Sequence, residues 1–170
     1  IEAVGSNYYN FNAWTGTVNS AVNPLGLMVD VPHAVVALFT ERLVFNGTPE
    51  WWLAEHGWTN NFDVAITNDV DGDGSAAWQE YLADTDPTNP ASVLRILRMS
   101  NLPPRRVYFS CSSNRQYTLE FRRNFGGGSW SNLPDQTGIR GSGGTNWLTD
   151  TNATGTSRYY RIKVNLLPPP

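Results

Sequence analysis

Cysteine occurs once in the 170 residues, at Cys111, which excludes an internal disulfide framework and any cysteine-rich zinc module. Histidine occurs twice, at His33 and His56, and neither stands in a spacing with an acid and a nucleophile that supports catalysis. Charged residues make up 16%, against roughly 25% in an average domain, so a highly charged disordered tail is excluded. No run of about 18 apolar residues exists, so no segment reads as a transmembrane helix. Neither a Met nor an apolar signal core stands at Ile1, and the chain reads as mature or trimmed. Apolar residues reach 40%, with seven Trp, seven Tyr and seven Phe. That supply fills the core of one mid-sized domain or two small ones.

The net charge of −3 conceals an asymmetry. Up to Pro90 there are twelve acids against Arg42 alone, a balance of −11. Beyond Pro90 three acids face eleven bases, a balance of +8. A chain split this way can stack head to tail with copies of itself, or its acids can serve a cation while its arginines are solvated. The acidic total argues against a nucleic-acid partner.

Three segments follow: a partial β-repeat over 1–46, a helical segment over 47–90, and a β-sandwich with a Pro-rich tail over 91–170. The fold class is mostly β. In the first segment, strands are expected at Tyr8–Trp14, across Leu25, Leu27 and Val29, and at Val35–Phe39, from alternation and turn residues. In the second, Thr48 is expected to cap a helix begun by Pro49 and Glu50 and stopped at Gly57. A short turn over 60–67 and a helix over 76–83 follow, the latter burying Trp78, Tyr81 and Leu82. In the third, six short strands separated by Gly-rich turns predict a sandwich of the immunoglobulin or fibronectin kind.

Residues 69–80, DVDGDGSAAWQE, carry the chemistry. Asp69, Asp71 and Asp73 occupy positions one, three and five of a calcium loop, and Gly74 the sharp turn at six. Ser75 would offer its carbonyl, Ala77 leaves room for a water, and Glu80 closes the shell with two oxygens. All donors are hard oxygens, which selects Ca²⁺ over a transition metal, and the number of oxygens favours it over Mg²⁺. Asp84 and Asp86 offer either a second cation site or a cap at the helix end.

The residues Gly47–Leu53, Gly57-Trp58 and Asp69–Pro90 together resemble a cassette of secreted and surface proteins of environmental bacteria, with a calcium loop similar to thrombospondin type 3 repeats and dockerins. Phe11, Trp14, Gly16, Asn23–Leu25, Val35 and Ala37–Phe39 resemble the latter half of an internalin B-type repeat. Tyr117, Trp130 and Arg158–Ile162 resemble the small sandwich that follows the cassette. The resemblance implies an extracellular or cell-surface structural or adhesive module rigidified by calcium. A dockerin needs two such loops and one is present.

A truncated first sheet would expose an edge for strand addition, by a neighbouring module or a second copy, with Leu166–Pro168 or Ile1–Gly5 as the donated strand. The leading expectation is thus a non-enzymatic, calcium-stabilised fibre subunit or surface-protein module. The alternative is a carbohydrate-binding or adhesive module of a secreted enzyme, with Trp130, Trp147 and Tyr159 as polysaccharide contacts. Asn46 and Asn152 head two glycosylation sequons.

Overall fold

The computed structural model describes residues 1–100, 102–153 and 157–168. Thr154 of the second sequon and Pro169-Pro170 of the tail lie outside the described residues. The protein is mostly β, as expected, with three sheets and few helices. It divides into two compact units, Ile1–Asn68 and Asp69–Pro170, so the boundary falls inside the expected helical segment.

In the first unit, β1 (Tyr9–Gly16) pairs antiparallel with β2 (Val35–Glu41). The inward side chains alternate, and the Phe11 ring meets Trp14 at 5.6 Å and Phe39 at 5.9 Å between centroids. Helices α1 (Glu50–Glu55) and α2 (Phe62–Ala65) follow, with Trp52, Leu53, Ala65 and Ile66 buried. Two expectations need correction here. Thr48 does not cap α1: its backbone accepts from Val44 N–H, the residue is buried, and Pro49 takes the cap position without a side-chain bond. The segment across Leu25, Leu27 and Val29 is not a strand. Leu25 is held instead by Ile1, the two exchanging backbone hydrogen bonds at 2.8 Å, and only Leu25 of the three is buried. Alternation supplied a pattern there, but no neighbouring strand supplies a ladder.

The second unit starts with the acidic loop and α3 (Ala77–Ala83). Strands β3 (Ile96–Met99), β4 (Arg105–Cys111) and β8 (Gly144–Asp150) make one antiparallel sheet. In the other, β5 (Arg115–Arg122) pairs along its length with β9 (Tyr159–Leu166). Short β6 (Ser131–Asn132) and β7 (Ile139–Arg140) pair with opposite ends of β5. The two sheets share one core: Val107 and Phe109 of β4, Leu148 of β8, Tyr117 and Leu119 of β5, and Leu133. The Phe109 and Tyr117 rings meet at 5.0 Å. Complete burial of each such side chain contributes about 1.5–3 kcal/mol.

Candidate metal centre

The loop turns back on itself because its aspartates bond to its own backbone. Asp69 accepts from Gly72 N–H at 2.8 Å and Gly74 N–H at 3.0 Å. Asp71 accepts from Asp73 N–H at 3.1 Å, and Asp73 from Ser75 N–H at 2.7 Å. Gly72 and Gly74 sit at φ +78° and +98°, a region that a Cβ disfavours. This winding places one oxygen each of Asp69, Asp71 and Asp73 within 4.8 Å of one another, a group that can hold a metal ion. Among the described residues no other such cluster forms.

Helix α3 brings the fourth acid. Gln79 reaches back to accept from Ala76 N–H at 2.8 Å, fixing the helix start. The buried stripe of α3 is Ala77, Glu80 and Ala83, with Trp78 40% exposed, rather than the expected Trp78, Tyr81 and Leu82. Two small residues let the helix approach its neighbours closely, and Glu80 turns inward between them. Glu80 is 1% exposed. Burial, then the charges of Asp71, Asp73 and Asp69, push its pKa up to about 7. Its one side-chain partner is the Thr85 hydroxyl, which donates at 3.5 Å. Glu80 thus stands outside the tight aspartate group but within its field. Ser75 lies on the same turn, half-buried.

Three carboxylate oxygens here, Asp71 Oδ2, Asp73 Oδ2 and Glu80 Oε2, are buried and lack any hydrogen-bond partner. A buried acceptor without a donor is destabilising by about 1–3 kcal/mol, more when charged. In and beside the aspartate group that could hold a metal ion, these oxygens have no donor among the described residues.

The C-terminal end of α3 is clamped by a residue that sequence reasoning missed. Asp84 ends the helix in the left-handed region at φ +60°. Arg115, 9% exposed on β5, donates from Nε to the Leu82 carbonyl at 2.9 Å and from Nη2 to the Tyr81 carbonyl at 2.6 Å. It also pairs with Asp84 at 3.3 Å. The orphan carbonyls of a helix end and a positive charge are matched here. Asp84 further accepts from the Ser112 hydroxyl and from Asn114 at 3.3 Å. Asp86 accepts from Thr88 N–H and its hydroxyl, at 3.0 and 2.7 Å. These carboxylates serve as a helix clamp and a turn, and among the described residues they form no second cation group. No spacing rule links positions 84 and 115; strand β5 brings them together.

Of the aromatic candidates, Trp130 and Tyr159 are joined through Arg122 and Phe125. Trp130 lies between two guanidinium groups, Arg122 at 4.6 Å and Arg161 at 4.5 Å from its ring centroid. Tyr159 packs on Phe125 at 5.2 Å. Trp147 belongs to the other sheet, beside Tyr108 at 6.0 Å. Of the sequons, Asn46 is exposed while its Thr48 is buried, and Asn152 is exposed. His33 bonds to the Met28 carbonyl at 3.0 Å, and the His56 ring packs tilted against Trp52 at 4.6 Å. No helix of the described residues is long and apolar enough to cross a membrane.

Comparison with protein-family models, with curated proteins and with solved structures finds no match to this chain, so the loop's own geometry carries the functional reading.

Proposed function

We propose that this chain is a non-enzymatic structural module of an extracellular or cell-surface assembly, stabilised by Ca²⁺ in the loop Asp69–Glu80 and joined to copies of itself or to adjoining modules by strand addition. The observation that carries the reading is the set of three buried, unpartnered carboxylate oxygens, two within the three-aspartate group and one on Glu80. Asp69, Asp71 and Asp73 would hold the ion through side chains, Ser75 through its carbonyl and Glu80 through its carboxylate, with a water beside Ala77. In this reading the ion neutralises the clustered carboxylates and holds the loop. Open strand edges support the assembly part of the reading: β1 and β2 form a sheet of two, and β3 ends its sheet.

Calcium titration of metal-free protein by calorimetry and thermal melting tests this. At a hundredfold excess over its Kd, calcium is expected to add about 2.7 kcal/mol and raise the Tm of the second unit by roughly 10 °C. Terbium should replace it and luminesce on excitation of the tryptophans. No heat, no terbium signal and an unmoved Tm would defeat the calcium reading. Electron microscopy with and without a chelator tests assembly.

A further inference from the structure

Strand addition needs a donor and an acceptor, and the two terminal candidates are engaged. Ile1 exchanges hydrogen bonds with Leu25, and Ala3 exchanges them with the Asn23 side chain at 2.9 and 2.7 Å. Leu166 pairs with Arg115 inside β9. A different segment has strand chemistry and no strand partner. Leu27-Met28-Val29-Asp30-Val31 forms no bridge with any strand. Met28, Val29 and Val31 are 79%, 88% and 55% exposed. Such exposure for three neighbouring apolar side chains is the mark of an interface.

The acceptor is equally odd. Residues Arg95–Met99 are all exposed, on both faces of the strand, with Ile96 at 41% and Leu97 at 44%. Strand β3 is terminal in its sheet. Arg95 uses its backbone on Ser110: its N–H donates to the Ser110 hydroxyl and its carbonyl accepts from Ser110 N–H. By strand alternation the N–H and carbonyl of Ile96 then point to the open edge. The register shift between Ile96 and Arg98 ends regular pairing, which limits the acceptor to Arg95–Leu97.

Charge chooses between occupants. Two β3 edges placed together would bring Arg95 and Arg98 of both copies into one cluster with no acid. Asp30 is the one charged residue between Leu25 and His33, and residues 1–68 carry six acids against Arg42. Neither Asp30 nor Arg95 forms an ion pair among the described residues. Arg98 is stacked on Tyr108 at 3.6 Å, which leaves Arg95 as the unused cation.

We infer that residues 27–31 of one copy add antiparallel to the β3 edge of a second copy, with Asp30 opposite Arg95, Val29 opposite Ile96 and Met28 opposite Leu97. This rests on the assembly part of the proposed function and names its two surfaces. Donor and acceptor differ, so the contact is head to tail and propagates unless a ring closes. The Met28 carbonyl, held by His33, is consistent with the register, because the backbone of Val29 is the one that faces Ile96.

Sedimentation of the full chain over a concentration series, in calcium, tests it. Asp30→Arg and Arg95→Asp are surface changes, and circular dichroism checks that each variant folds. Each alone is expected to weaken self-association roughly tenfold, and the double exchange to restore it. Val29→Pro, which removes a ladder donor, should abolish it. Self-association of the wild type that persists undiminished in every one of these variants overturns the pairing and leaves assembly standing. Wild-type chains that stay monomeric at millimolar concentration overturn both.

Discussion

The sheets and the acidic loop of the second unit treat buried acids in opposite ways. Asp150, fully buried in the sheet region, has Arg158 at 2.5 Å and the Tyr160 hydroxyl donating at 2.8 Å. Glu120, 5% exposed, has Arg161 at 2.5 Å. Their countercharges are built into the chain. Glu80 is as deeply buried as Asp150, yet the charges it feels among the described residues are those of three more acids. Removing a charge from water is tolerated where its partner is present. In the sheets the partner is an arginine; in the loop none of the described residues supplies one, and a bound cation would. Three of the C-terminal half's arginines, Arg115, Arg158 and Arg161, are thus partners of acids in the same unit.

The largest effect is expected from breaking the self-contained side. Asp150→Ala strands Arg158 and the Tyr160 hydroxyl, and should lower stability by about 3–5 kcal/mol, equally with calcium and with chelator. Urea titrations in both conditions measure it; a loss seen only in calcium would erase the contrast between the two regions. Next in size is the clamp joining them. Arg115→Met removes the donors to Tyr81 and Leu82 and the Asp84 partner, at about 2–3 kcal/mol. It should also shrink the Tm gained from calcium, because the loop helix loses its fastening to β5. An undiminished gain would show that loop and sheets are fastened elsewhere.

Glu80→Gln gives the smallest change and the sharpest, because its sign reverses. The pKa of Glu80 is raised, so in metal-free protein its protonated form contributes stability below about 4.5 that is lost as pH rises through about 7. Glutamine imitates the neutral form. At pH 8 with chelator the variant is expected to melt at or above the wild type, and with calcium clearly below it. Lower melting in both conditions would mean that the Glu80 charge has a partner within the protein.

Much of this was legible in residues 69–80, since loop chemistry is local: each aspartate bonds to a backbone N–H within five positions, and the glycines permit the turn. Strands β1, β2, β4, β5 and β9 were legible from alternation for the same reason of short range. The buried face of α3 was not, since helix periodicity admits several stripes and bulk favoured Trp78 over Ala77. Nor was the fate of residues 25–31, where alternation reads like a strand but pairing depends on what lies beside it.

Order and spacing along the chain alone set the cluster of three aspartates, the mostly β class and the split of charge. Tertiary structure decided which acids keep a partner. It buried Glu80 among like charges, assigned Asp84 to Arg115 across 31 positions, and left Asp30 and Arg95 without ion pairs among the described residues. The physical reason is one of range: backbone turns and capping act over a few residues, whereas electrostatic partnership depends on distance and burial in three dimensions, which sequence separation does not encode.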